Sequence, residues 1–306
     1  MKNKEIKCPH CKSLEIVKRG SFETKAHGKQ QRFYCKSCNK KFIVRTAFYR
    51  MKNNEKKITC AIDLFYRGVS TRKVQEHFKT FYPHNSSNIS IYNWIIKYSK
   101  MVSKFTNKLN LKVGRYAQTD EIEFHRRVNH NKGSKDGVEK NFFIDSIDPT
   151  TKFLLSSEYM KTRDLTSIKA VMGRIKERAE NQIKTMTTDG WLAYPKAIKK
   201  TFGYDNKKHK PNVYHIRNVA IKDEGFNYPI ERLHNNIRHR TKTFRGFHGS
   251  ISSANALMKG WEIYYNFITK HQTIKCSPYE LACPQLKLTS NNKWLELINL
   301  STNNHN

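Results

Sequence analysis

Two Cys-x-x-Cys pairs in the first forty residues, Cys8/Cys11 and Cys35/Cys38, restrict what the front of this chain can become. Each pair has two intervening residues, and 23 residues separate the pairs. A Cys-x-x-Cys turn aims both sulfurs at one tetrahedral ion, and two such turns close a structural zinc site. Between the pairs, Glu15-Ile16-Val17-Lys18 and Gln31-Arg32-Phe33-Tyr34 read as hairpin strands around a polar, glycine-containing tip. The expectation is a zinc ribbon over residues 1–50, with Cys8, Cys11, Cys35 and Cys38 holding one structural Zn²⁺; redox or coincidental cysteines are the alternative. Cys60, Cys276 and Cys283 have no partner at ligand spacing and are expected as small core residues.

Charge says what the chain meets. Lys and Arg number 58 against 25 Asp and Glu, a net charge of +33. Such an excess repels itself in a compact state unless a polyanion neutralises it, and phosphate backbones are the commonest polyanion. A ribosome- or RNA-associated protein carries the same charge, so charge alone says nucleic acid and nothing of chemistry. The 12% aromatic content argues against wholesale disorder. No apolar run approaches the roughly 18 residues of a membrane span, and Met1 to Lys7 lacks a secretory signal's apolar stretch. The chain is therefore expected to be cytoplasmic and nucleoid-associated, with no membrane partner. In that compartment thiols stay reduced and paired cysteines read as metal ligands first.

From 51 to 108 the pattern turns helical. Ile58, Ile62, Leu64 and Phe65 recur at helical spacing, and Arg67-Gly68-Val69-Ser70 breaks the run with Ser70 placed to cap a second helix. That helix carries Val74, His77 and Phe78. A polar stretch, Pro83 to Asn88, leads to a further short helix through Ile91 and Trp94. This grammar suggests a helix-turn-helix whose last helix enters a major groove, although small helical domains share it without touching DNA.

Residues 112–285 read as α/β. Strands are expected at Tyr116 to Phe124, Asn141 to Ile144, Phe153 to Leu155 and Ile183 to Thr188, and an amphipathic helix runs from Leu165 to Ala179. In the last helix Ala254, Leu257, Met258, Trp261, Tyr264, Tyr265 and Ile268 form an apolar stripe opposite Lys259, Glu262, Asn266 and Lys270. Hairpin strands followed by strand–helix alternation fit a mixed sheet flanked by helices. Residues 286–306, rich in Asn, are expected as a flexible tail.

Cutting a phosphodiester without a covalent intermediate requires an activated nucleophile and a stabilised leaving oxygen, and two divalent ions do both. Magnesium prefers oxygen ligands and keeps its own waters, so a few carboxylates from separate elements suffice. Asp120 lies inside a strand, a poor place for a carboxylate without a partner. Asp189 ends a strand before a helix, where open α/β sheets place ligands. Glu231 and Arg238 are seven steps apart on one helix and return to within about 20° of each other, with His234 and Asn235 between them. From spacing alone, Glu121, Glu123, Asp136, Asp145, Asp148, Asp164, Asp205, Asp223 and Glu224 remain open alternatives. Tyrosine recombinases need His-x-x-Arg and rolling-circle nucleases need His-x-His; the chain contains neither. Trp191 and Tyr194 either pack on the sheet or stack on a splayed base.

Several segments resemble insertion-sequence DDE transposases. They are Thr119-Asp120-Glu121, Thr188 to Ile198 (Thr-Asp-Gly-Trp-Leu-Ala-Tyr-Pro-Lys-Ala-Ile), Ile230 to Arg238 (Ile-Glu-Arg-Leu-His-Asn-Asn-Ile-Arg) and Arg-Gly-Phe at 245–247. Tyr264 to Ile274, followed by Ser277 to Ala282, is similar to the end of integrase-type catalytic domains. The best match is the insertion-sequence family numbered six. The resemblance implies an RNase H-like fold over 112–285, with Asp120, Asp189 and Glu231 as ligands of two Mg²⁺ (or Mn²⁺) ions. Arg238 takes the place of the basic residue two turns after the glutamate. It further implies 3′-end cleavage and strand transfer on double-stranded DNA, at terminal inverted repeats and target, by a homodimer or higher oligomer. The 42 positions from Asp189 to Glu231 exceed the spacing expected of that family, and polar stretches at Tyr204 to Pro211 and Lys222 to Asn227 can absorb them as loops. The alternative is a non-catalytic zinc-ribbon and helix-turn-helix DNA-binding protein left from a degenerate transposon.

Overall fold

A computed structural model of the chain describes residues 6–82, 86–127, 138–179, 182–218, 228–241, 247 and 249–303. The N-terminal strands β1 (Ile16–Thr24), β2 (Gly28–Cys35) and β3 (Lys41–Ile43) form one antiparallel sheet. Phe33 stacks on Phe42 across the β2–β3 pair, a small apolar seam in an otherwise polar module. The residue after each Cys-x-x-Cys pair, Lys12 (φ 64°) and Asn39 (φ 58°), adopts the left-handed conformation that folds each turn back on itself.

Three helices follow: α1 (Glu55–Tyr66), α2 (Thr71–Phe81) and α3 (Asn88–Thr106). Each begins at a side chain that accepts a backbone N–H three residues on: Asn54 from Lys57, Ser70 from Lys73 and Ser87 from Ser90. The expected third helix is not short. It runs 19 residues because Ile91, Trp94, Ile95, Tyr98, Val102 and Phe105 keep one buried face along its length. Part of the Pro83 to Asn88 stretch, residues 83–85, lies outside the described residues.

The larger unit contains β4 (Tyr116–Arg127), β5 (Val138–Ile147), β6 (Leu154–Met160), α4 (Leu165–Arg178), β7 (Thr185–Thr188), α5 (Ala193–Phe202), β8 (Tyr204–Asp205), β9 (Lys210–Pro211), β10 (Tyr214–Arg217) and α6 (Tyr228–Thr241). It continues through α7 (Ile251–Ile263), a π-helical turn (Tyr264–Ile268), α8 (Pro278–Ala282) and α9 (Lys293–Asn303). The main sheet has the order β10-β7-β4-β5-β6. β4, β5 and β6 form an antiparallel meander, while β7 and β10 run parallel to β4. This mixed sheet flanked by helices fits an RNase H-like domain. β10 carried no recognisable strand pattern in the sequence. Tyr204 to Pro211 is a small β8–β9 hairpin, and Lys222 to Asn227 lies outside the described residues.

Two expectations are corrected. The segment expected as a flexible tail, 286–306, is docked over its described part: α9 buries Trp294, Leu297 and Ile298, and Trp294 stacks on Tyr66 of α1 at 5.5 Å between ring centroids. Apolar positions 294, 297 and 298 at helical spacing explain why this segment docks. Of the four residues expected opposite the apolar stripe, Lys259, Glu262 and Asn266 are buried and Lys270 is exposed. Lys259 lies 2.6 Å from Glu158 and 2.8 Å from Glu262, and Arg178 of α4 reaches Glu262 at 2.6 Å, all four residues being buried. Asn266, fully buried, donates to and accepts from the backbone of Leu154. A charge can leave water when a partner and hydrogen bonds go with it.

The helical segment is not a separate bead. Tyr66 of α1 hydrogen-bonds Ser99 of α3 and the Leu257 carbonyl of α7, both at 3.0 Å. Gly260 of α7 sits where an added methyl group would collide with the Tyr66 and Ser99 hydroxyls. Trp294→Ala is expected to destabilise the protein by about 3–5 kcal/mol, as other buried Trp truncations do. Chemical denaturation measures this, and a tail without a core role would show no change.

Candidate active site

The candidate site forms where β7 stops and β4 continues. In the parallel β4–β7 register Gln118 faces Thr187, so the residues just beyond it, Asp120 in mid-strand and Asp189 past the strand end, come level. Oxygens of Asp120, Glu121 and Asp189 all lie within 4.8 Å of one another. Asp189 is held by the Trp191 amide, which donates to its Oδ1 at 3.0 Å, and Asp120 Oδ1 accepts the Glu121 amide at 2.9 Å.

Glu121 belongs to the cluster by distance but not by availability. Arg163 donates to its Oε1 at 2.9 Å and the Tyr194 hydroxyl to its Oε2 at 2.6 Å, and its side chain is 4% exposed. Both oxygens are already engaged. Tyr194 is fully buried, its hydroxyl pushed well above the usual range by burial and by Glu121, so it packs on the sheet and does not stack on a base. Trp191 remains partly exposed, under the Arg163 guanidinium at 4.1 Å from its ring centroid.

The other alternative carboxylates have separate work. Asp148 accepts from the Gly114, Thr150 and Thr151 amides and holds the β5–β6 turn. Asp164 caps α4 through the Ser167 amide, and Asp205 accepts the Lys207 and Lys208 amides. Glu123 pairs on the surface with His125 and Lys140. Asp136, Asp223 and Glu224 lie outside the described residues. Asp145 is fully buried directly opposite Asp120 in the β4–β5 register.

α6 lies over β4 and β5, where the Ile230 amide donates to Gln118 Oε1 and Ile230, Leu233 and Ile237 anchor the helix in the core. His234, 3% exposed, directs its ring between Asp120 (3.5 Å) and Asp145 (3.3 Å). Glu231 stands one turn before His234, exposed, outside the close group formed by Asp120, Glu121 and Asp189. It lines a cleft of about 470 Å³ with Lys152, Arg232, Tyr265 and His271. Arg238, also exposed, donates to Asn235 at 3.4 Å. Of the expected residues, then, Asp120 and Asp189 are together, and Glu231 and Arg238 occupy the helix docked beside them. Of the Arg-Gly-Phe segment only Phe247 is described; it is buried against Phe124, Phe143 and Tyr159.

Residues 139–272 match the family model of a DDE domain, that of IS240-type transposases. The chain carries an insertion-sequence DDE transposase domain. The match contains Asp189 and Glu231, while β4 with Asp120 precedes it; the family name agrees with the insertion-sequence family numbered six. No curated protein matches the chain. Among the described residues no helix is long and apolar enough to cross a membrane.

The donor set of the transposase domain, half-buried carboxylate oxygens close to one another, fits a hard divalent ion. The N-terminal cysteines form a second candidate metal site. Cys8 and Cys38 sulfurs lie 3.6 Å apart and Cys11 and Cys35 3.5 Å, all four being free thiols. Tetrahedral Zn–S bonds of about 2.3 Å imply S–S edges of about 3.8 Å. Burial raises Cys38 to about 12, with the neighbouring sulfurs adding to it. Burial opposes ionisation of Cys35 too, but hydrogen bonds led by the Cys38 amide outweigh it and bring that thiol to about 6. Four such sulfurs ionise together only around a cation.

Burial, aided by the charges of Glu121 and Asp189, pushes the Asp120 carboxyl up to about 6, against the pull of His234 and the Glu121 amide. The folded state therefore holds a proton that the unfolded chain has already lost, and stability falls as pH rises from about 4 through 6. Asp120→Asn should be more stable than the parent above pH 6 in buffer free of Mg²⁺ and Mn²⁺, by on the order of 2 kcal/mol, and indistinguishable below pH 4. Denaturation at the two pH values checks the sign, and added Mn²⁺ should stabilise only the parent.

Proposed function

We propose that this chain binds the ends of a mobile DNA element through its N-terminal modules and cleaves and joins DNA at Asp120, Asp189 and Glu231. The observation that carries this reading is the Asp120–Asp189 pair at the end of β7 with the Glu231-bearing helix docked on it, inside a DDE domain. Asp120, Asp189 and Glu231 would be the residues that hold the divalent ions. Bound there, two Mg²⁺ or Mn²⁺ ions supply the Lewis acidity that activates water and stabilises the departing oxygen.

The chemistry runs in two displacements at phosphorus. Water attacks the phosphodiester at the element's 3′ end, the P–O3′ bond breaks, and a 3′-hydroxyl and a 5′-phosphate result. That 3′-hydroxyl then attacks a target phosphodiester, forming a new P–O bond and releasing the target's own 3′-oxygen. Arg238 lies on the face of α6 that carries Glu231 and holds a phosphate of the strand being cut. Arg163 over Trp191 offers a cationic, aromatic edge beside Asp189 for the same strand.

The four-cysteine cluster holds Zn²⁺ as a zinc ribbon, and α2 with α3 forms a helix-turn-helix. Both are basic modules suited to duplex DNA, and the ribbon carries Arg32, Arg45 and Lys41 around a shallow cleft of about 420 Å³. Cleavage and joining of two ends at one locus calls for at least a dimer on DNA.

Asp189→Asn and Glu231→Gln should each cut nicking and strand transfer on end DNA by at least about 100-fold, the scale lost when one group that stabilises transition-state charge is removed. Binding to the same DNA in a mobility-shift assay should change less than about twofold, within the few tenths of a kcal/mol usual for surface changes. Normal joining by either variant removes that residue from the site. Cys38→Ser should lose one zinc per chain by elemental analysis and weaken end binding, leaving the catalytic domain's near-ultraviolet circular dichroism intact. Retained zinc would count against the ribbon.

A further inference from the structure

We infer that His234 is a positioning residue, seated on the buried Asp145, that holds the Asp120 carboxylate in the orientation needed to ligate metal. The inference rests on the reading of Asp120 as a ligand and adds residues that the acidic triad does not include.

Asp145 is the least accounted-for group in the domain. It has no exposed surface, and neither of its oxygens has a hydrogen-bond partner among the described residues. An uncompensated buried carboxylate costs several kcal/mol, so a group kept there is facing something. What it faces is His234 Nε2 at 3.3 Å, itself buried and with no hydrogen-bond partner among the described residues. An imidazole has a nitrogen on either side of its ring. With one side turned to Asp145, the other, Nδ1, falls 3.5 Å from Asp120 Oδ2.

The three residues come from three elements. Asp120 and Asp145 are cross-strand partners on β4 and β5, and His234 descends from α6 between them. The ring is thus wedged over a β-pair at the level where the cluster with Asp189 opens. Asp120 Oδ1 already accepts the Glu121 amide. With Oδ2 facing the imidazole, both oxygens are fixed in direction, and each keeps a lone pair for a cation. Ligating carboxylates that are not held in this way lose metal affinity by about 10–100-fold. The same wedge ties the register of α6 to β4, and Glu231 lies one turn away on the same helix. His234 therefore sets the direction of one ligand and the approach of another.

A role confined to packing would lower thermal stability and leave the metal dependence alone. The test is Mn²⁺ binding to the full chain, read by the loss of the free-ion electron paramagnetic resonance signal, with nicking rate against Mn²⁺ concentration as a second readout. His234→Ala should bind Mn²⁺ about 10–100-fold more weakly, with the half-saturating Mn²⁺ for nicking raised in step and much of the rate recovered at high Mn²⁺. Asp145→Asn keeps size and shape, so it serves where His234→Ala folds poorly; by releasing the ring it should shift affinity in the same direction. Asp120→Asn is the control. If it abolishes binding while both other variants bind as the parent does, His234 has no positioning role and the triad stands. If Asp120→Asn itself binds Mn²⁺ normally, the assignment of Asp120 fails and this inference with it.

Discussion

Like charge held in a half-dry notch is the constraint around which the catalytic half is organised. β7 ends after four residues while β4 continues beside it, so the sheet leaves a step, and Asp120 and Asp189 meet across it. Burial, and after it the charges of Glu121 and Asp189, push the Asp120 carboxyl up to about 6. A cation reverses that repulsion. A divalent ion bound there would offset the cost of holding these carboxylates ionised. Arg163 is committed to Glu121 and Trp191.

The architecture around the step keeps it from collapsing. A buried chain of charges, Arg178–Glu262–Lys259–Glu158, fastens α4, α7 and β6 behind the sheet, and α6 is pinned in front by Ile230, Leu233 and Ile237. α7 also packs against α3, and Tyr66 and Trp294 draw α1 and α9 into the same core. The helices proposed to recognise DNA are thereby continuous with the scaffold of the main sheet.

Much of this was legible in the residues, for identifiable reasons. Cys-x-x-Cys pairs, serine caps and alternating strands are local signals, and the thiol cluster, α1, α2, β4 and β5 follow from them. The Glu231–His234–Arg238 spacing placed those side chains on one helix without saying which would touch the sheet. What escaped depended on contacts between distant segments. Asp145 looked like one more carboxylate until the β4–β5 register set it opposite Asp120. Lys259 and Glu262 looked like a wet face because their partners, Glu158 and Arg178, lie about a hundred residues earlier. α9 was masked by flanking asparagines, although Trp294, Leu297 and Ile298 already marked an apolar face. Glu121 separates from Asp120 only through Arg163 and Tyr194, distant in sequence, which engage its two oxygens.

The central claim is that Asp120 and Asp189 share divalent metal with Glu231, and the most direct measurement is anomalous diffraction from crystals grown with Mn²⁺ and end DNA. The account predicts manganese peaks at the end of β7 with oxygens of Asp120, Asp189 and Glu231 within ligand distance, about 2.2 Å, and Glu121 still bound to Arg163 and Tyr194. Manganese held by Asp120, Glu121 and Asp189 with Glu231 remaining in its cleft, or no manganese at the step at all, would contradict it.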